Sequence, residues 1–102
     1  MLTELLNKSV MIRTYSAGVH YGILDKFKTK GSEYSVKLVQ ATRVYSWTGA
    51  NSLSQLSTEG SKLTTSELSV KVPSIYLKAI EVIEMTDKAV ASLNSIETWK
   101  FK

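Results

Sequence analysis

Val10-Met11-Ile12-Arg13-Thr14-Tyr15-Ser16-Ala17-Gly18-Val19-His20-Tyr21-Gly22-Ile23-Leu24 is the stretch that decides the fold. From Val10 to Tyr15 the side chains sort by twos, with Val10, Ile12 and Thr14 on one face and Met11, Arg13 and Tyr15 on the other. That alternation belongs to a half-buried strand. Ser16-Ala17-Gly18 turns the chain, and Gly18 takes a positive φ without Cβ strain. The period of two resumes from Val19 to Phe27, setting Val19, Tyr21 and Ile23 against His20, Gly22 and Leu24, so both faces of this second strand are partly covered. A glycine within such a strand marks a sharp bend or a close backbone approach, which places the expected kink at Gly22.

Downstream, Lys28 to Ser32 reads as a polar turn, followed by a strand over Tyr34–Gln40 and another over Thr42–Trp47. Four strands on short connections make an antiparallel meander over 10–47, which must hide its edges or close on itself. The expected fold is therefore mainly β with short helices, a strongly bent antiparallel sheet or a small SH3-like or Sm-like barrel, in one domain spanning 1–102. Upstream, Leu2, Leu5 and Leu6 suit one or two helical turns over Thr3–Lys8, able to cover an open end of the sheet.

After Thr48-Gly49-Ala50, Asn51 or Ser52 can cap a short helix carrying Leu53 and Leu56, stopped at Glu59-Gly60. A polar loop completes the 51–67 segment. Leu68, Val70 and Val72 suit an edge strand over 68–72 that Pro73 ends. Residues 75–80 fit either a helix face or a strand, while the β-branched content of 79–85 favours a strand. Thr86 caps a helix over 86–94 with Asp87 in its first turn, and 96–101 reads as a short terminal strand.

Composition narrows the chemistry. With no cysteine there is neither a disulfide framework nor a thiolate metal site. The opening residues lack a basic leader followed by an apolar run, and no stretch approaches the length of a membrane span, so the cytoplasm is the expected compartment and a membrane is not an expected partner. The formal charge of +4 sits in the first fifty residues, where seven basic residues face three acids. Only two of the thirteen basic residues are arginine, whereas bidentate recognition of phosphates and bases leans on arginine.

The candidate ligand site is polar and aromatic: Arg13 and Tyr15 on the first strand, His20 on the hairpin, and Arg43, Tyr45 and Trp47 on the fourth strand. If the two strand faces coincide, arginine forks and stackable rings form a pocket for a nucleotide or another phosphorylated anion. The competing assignments are half of the core, with the arginines snorkelling past it, and the centre of a subunit contact. Gly49 and Ala50, just before the Leu53 helix, form a weaker backbone anion site. His20 is the sole histidine and has no distinctive nucleophile and acid around it, so neither a triad nor a zinc site is expected, and no cofactor. Glu81 and Glu84, three apart on a strand, face opposite ways and cannot pair for acid–base work.

The segments Arg13-Thr14-Tyr15-Ser16-Ala17-Gly18-Val19-His20-Tyr21-Gly22 and Arg43-Val44-Tyr45-Ser46-Trp47-Thr48-Gly49-Ala50, with Leu53, Leu56, Val72-Pro73 and Trp99, resemble a family of small, functionally uncharacterised phage and prophage proteins. Gly22-Ile23-Leu24 with Phe27 is similar, more weakly, to strand two of Sm-like and SH3-like small barrels, but the RNA-binding loop signatures of that group are missing. The resemblance implies a non-enzymatic phage accessory protein acting as a homo-oligomer. Its ligand would be an anion such as a nucleotide signal, or a host protein in counter-defence. A nucleic-acid-binding small β-barrel module and a structural or virion-associated interaction protein are the alternatives.

Overall fold

The computed structural model describes residues 2–31, 33–46, 52–60 and 67–96. A short 3₁₀ turn, Leu2–Leu5, leads into β1 (Ser9–Thr14), β2 (Val19–Lys30), β3 (Glu33–Ser46), α1 (Leu53–Glu59), β4 (Glu67–Leu68), β5 (Val72–Glu84) and α2 (Asp87–Asn94). All strand pairings are antiparallel, in the order β2-β1-β5-β3-β4, with β2 also paired to β3. The fold is mainly β with two short helices on a bent sheet, as the alternation of Val10 to Leu24 predicts. Among the described residues, no helix is long and apolar enough to cross a membrane.

The barrel expected from the sequence is corrected. A closed barrel pairs every strand along both edges, but β1 has six residues while β2 has twelve and β5 thirteen. It covers β2 only over Val19–Ile23 and β5 only over Ala79–Glu84. Beyond these spans the β1-side edges of β2 and β5 have no described strand partner, and β4 remains a two-residue edge. The sheet bends back on itself through the β2–β3 pairing without closing.

Three strand boundaries also move. The separate strands expected over Tyr34–Gln40 and Thr42–Trp47 are one strand, β3, because Gln40 takes φ 51° and is absorbed as a bulge instead of a turn. The pairs Tyr21↔Thr42 and Ile23↔Val39 leave Gly22 opposite both Gln40 and Ala41. A Cβ on Gly22 would stand 3.0 Å from the Val39 carbonyl oxygen and 3.1 Å from the Ala41 Cα, so the backbones meet here because Gly22 has no side chain. Pro73, expected to end an edge strand over 68–72, lies inside β5. The β3–β5 ladder pairs Val39↔Ser74 and Ala41↔Val72 and skips Gln40 and Pro73, so the missing proline N–H falls where no ladder bond is formed. Finally, β2 runs on to Lys30, and the turn narrows to Gly31 at φ 61°. Residues 75–80 are strand, while 97–101 of the expected terminal strand and 61–66 of the polar loop lie outside the described residues.

The bend creates two cores. Inside it, Val10, Ile12, Leu24, Val36, Leu38 and Ala79 pack together under the N-terminal turn. On the outer face of the first half of the sheet, Met11, Tyr21 and Val44 pack against Leu56 of α1 and Ala89 and Leu93 of α2. Both helices are capped as their sequences indicate. The Ser52 side chain accepts from the Gln55 N–H at 3.1 Å, and the Thr86 hydroxyl accepts from the Ala89 N–H at 3.1 Å. Gly60, at φ 77°, closes α1 against α2, where a Cβ would fall 2.4 Å from that of Ser92.

Gly22→Ala is expected to lower unfolding stability by about 1–3 kcal/mol, since the new methyl meets backbone on the facing strand. Chemical denaturation with an unchanged m-value checks it, and an unaltered midpoint would refute the close approach at this bulge.

Candidate functional site

The residues selected from the sequence do not form one patch. Register pairs Arg13 with Val19 and Val19 with Val44, whereas His20 pairs with Arg43. Directly opposed residues share a face, so Arg13 shares its face with Val44, and Arg43 shares the opposite face with His20 and Ile12. The Arg13 guanidinium is held by Glu81, Nε to Oε1 at 3.1 Å. Tyr15 stands in the β1–β2 turn, 90% exposed. Arg43 lies over the Tyr45 ring, 5.5 Å from its centroid, and against Gly18. Thus His20, Arg43 and Tyr45 are neighbours, Arg13 and Tyr15 stand apart from them, and Trp47, Gly49 and Ala50 lie outside the described residues.

His20 has a structural task. It is buried, and its Nε2–H donates to the Ala17 carbonyl at 2.8 Å, tying the turn to the sheet. Burial holds its pKa below the ordinary value of 6.5, the neighbouring Arg43 charge pushes it further down, and the Ala17 bond opposes both. A second polar cluster fastens α2 to the sheet. The Tyr21 hydroxyl donates to Asn94 Oδ1 at 2.8 Å, and Lys71 Nζ donates to the same oxygen at 3.0 Å and to the Thr42 hydroxyl at 3.3 Å. The Lys71 ammonium also lies 4.9 Å from the Tyr21 ring centroid, and burial lowers its pKa. Among the described residues, no group of three or more His, Asp or Glu side chains could hold a metal ion.

What the sheet does bring together is a set of lysines. Pairing of β2, β3 and β5 sets Lys26, Lys37 and Tyr76 in one cross-strand row and Lys28, Ser35 and Lys78 in the next, on one face. Lys30 continues that face along β2. Tyr76, at the β5 end of its row, is 73% exposed. Asp25 is the extra residue of a β2 bulge between Leu24↔Leu38 and Lys26↔Lys37, and its carboxylate lies 3.5 Å from Lys37 Nζ. The Lys37 ammonium in turn sits 5.7 Å from the Tyr76 ring centroid. Among the described residues, no carboxylate forms an ion pair with Lys26, Lys28, Lys30 or Lys78. A groove of about 730 Å³ at this end of the sheet is lined by residues of both faces, Leu6, Phe27 and Leu77 from the inner one and Lys26, Lys28 and Lys78 from this one.

Sequence inspection missed this site as a site. The even spacing of Lys26, Lys28 and Lys30 was visible and fits an ordinary solvated strand face; Tyr76 and Lys78 share the same parity in the segment whose helix or strand character was open. Only the long-range β3–β5 ladder places the two sets side by side. Comparison with known proteins assigns the chain to a family: residues 7–93 match the model described as a domain of unknown function (DUF6948), and the chain belongs to that family. No curated protein and no solved structure matches it.

The lowered pKa of His20 fixes a pH dependence. The unfolded chain takes up the proton first as pH falls through about 6.5, so stability is full above that value and declines below it. The denaturation midpoint is expected to fall between pH 7 and about pH 5, and His20→Gln is expected to flatten this part of the profile; a wild-type profile that is flat there would contradict a neutral buried imidazole.

Proposed function

We propose that this member of the DUF6948 family is a non-enzymatic binding module for single-stranded nucleic acid, held on the β2–β3–β5 face. The observation that carries the proposal is the juxtaposition on one face of an exposed tyrosine and four lysines that have no ion-pair partner among the described residues. Alternate residues on a strand recur about every 7 Å, so Lys26 and Lys28, with Lys30 beyond them opposite Glu33, offer a line of positive charge to a line of phosphates. The Tyr76 ring offers a stacking surface to an unpaired base, the two elements that sequence-tolerant single-strand binding requires.

Two alternatives fit less well. A mononucleotide calls for charges converging on an enclosed pocket, whereas these lysines are spread along an open groove. A duplex keeps its bases stacked on each other and leaves Tyr76 without a role. Arg13 and Arg43, the forks suited to a compact phosphate, occupy opposite faces. With lysine supplying point charges and no arginine in the two rows, the face is suited to backbone contact and not to base discrimination. The phage or prophage setting implied by the sequence resemblance belongs to the same proposal, as an accessory protein acting on single strands in the host cytoplasm.

Fluorescence anisotropy with labelled 12-mers tests this. Binding is expected to weaken with salt at a log–log slope of about −3, from four neutralised phosphates at about 0.7 each. Lys28→Glu with Lys78→Glu should lower affinity at least about tenfold and flatten the slope by roughly half. Loss of the ring in Tyr76→Ala should cost about 1–3 kcal/mol of binding at an unchanged thermal midpoint. Wild-type protein that shows no salt-dependent binding to DNA or RNA single strands would end the proposal.

A further inference from the structure

A second groove adjoins the first, and it contains Tyr15, the sequence-selected aromatic that, among the described residues, stands apart from the Arg43 cluster. This groove, of about 410 Å³, is lined by Tyr15, Ser16, Glu33, Tyr76 and Ile80 among others, and it shares Tyr76, Leu77 and Lys78 with the first, so the two meet at β5. Of the six large apolar or aromatic side chains exposed among the described residues, Tyr15, Tyr76 and Ile80 all line it.

The turn that presents Tyr15 is rigidly built. The Thr14 hydroxyl donates to the Gly18 carbonyl at 2.8 Å and accepts from the Ala17 N–H at 2.8 Å, the Thr14 N–H bonds the same Gly18 carbonyl at 3.1 Å, and His20 grips the Ala17 carbonyl from below. Thr14 and His20 are buried while Tyr15, held between them, is 90% exposed. A fixed turn holds the Tyr15 backbone in place, so binding has only the exposed side chain left to order there. Charge sorts the two halves of the path. Lys78 stands at the junction, and Glu33 is the acid of the second groove. A phosphate is repelled there and stays on the lysine rows, while a neutral base can enter.

Resting on the single-strand binding proposed above, we infer that the strand crosses β5 and stacks a second base on Tyr15, with Tyr76 and Tyr15 as successive platforms and Glu33 keeping the phosphates on the Lys78 side. Anisotropy with labelled oligothymidines of four and twelve nucleotides tests this on the full chain. Tyr15→Ala is expected to weaken 12-mer binding about fivefold or more and the 4-mer less. Tyr15→Phe should bind as wild type, because stacking uses the ring and not the hydroxyl. Glu33→Gln should tighten the 12-mer and steepen its salt dependence. Tyr15→Ser serves as a second ring deletion, with the thermal midpoint of each variant showing that it is folded. Unchanged affinity in both ring deletions, while Tyr76→Ala and the lysine double variant weaken binding, overturns the second platform and leaves the lysine face standing. Absence of binding by wild-type protein overturns both. Loss of self-association in Tyr15→Ala without nucleic acid, read by sedimentation, makes this groove a contact between copies and also overturns the inference.

Discussion

Everything in this sheet depends on the place where Gly22 faces two residues of the opposite strand. A strand of twelve residues and another of fourteen would otherwise form a long flat ribbon with exposed edges. The bulge at Gln40 and Ala41 gives β3 one residue more than β2 at that point, and the absent Gly22 side chain lets the two backbones come together there. Extra residues increase local twist and bend the strand that carries them. The bend turns Leu24, Val36 and Leu38 inward onto Val10 and Ile12, while Tyr21 and Val44, before it, remain on the face that the helices cover. β1 is therefore buried on both sides, with Val10 and Ile12 in one core and Met11 in the other.

The same bend divides the outer face in two. Its first half carries Met11, Tyr21 and Val44 and lies beneath α1 and α2. Its second half carries Lys26, Lys28, Lys37, Tyr76 and Lys78, and among the described residues no helix packs on it. The change from apolar to basic residues thus follows what covers each half. Lysine on an uncovered strand face keeps its ammonium hydrated and protects a sheet edge from pairing with another chain, so solvation accounts for several of these residues. It does not account for Tyr76, whose ring stays largely in water amid the lysines.

Much of the architecture was legible because its signals are local. Period-two alternation gave β1 and the start of β2, Gly22 marked the close approach, and Ser52 and Thr86 marked the helix starts. The misread features are those decided across strands. Gln40 has no turn signature, and its positive φ follows from the bulge; Pro73 is tolerated inside β5 only because its opposite position, Gln40, makes no ladder bond. The described residues of the candidate cluster are separated for a related reason. Parity within a strand correctly grouped Arg13 with Met11 and Arg43 with Tyr45, but the relative phase of two strands is a matter of register, and a shift of one residue exchanges the faces. Lys37 and Tyr76 are distant in sequence, so no local pattern joins them.

A second bulge carries the argument from fold to binding. Asp25 is the residue β2 gains between Leu24 and Lys26, and that insertion sets its carboxylate beside Lys37. Lys37 is then partly neutralised and drawn over Tyr76, so it serves the platform more than it adds to the field. A ring steadied by a neighbouring ammonium has less freedom to lose when a base stacks on it. The charge available to phosphates comes from Lys26, Lys28 and Lys78, with Lys30 opposite Glu33, and Asp25, beside the first row, is spent on orientation. The two bulges of the β2–β3 pair, one on each strand, therefore have separate consequences: the one on β3 facing Gly22 bends the sheet and uncovers the face, and the one at Asp25 on β2 arranges the groups on that face.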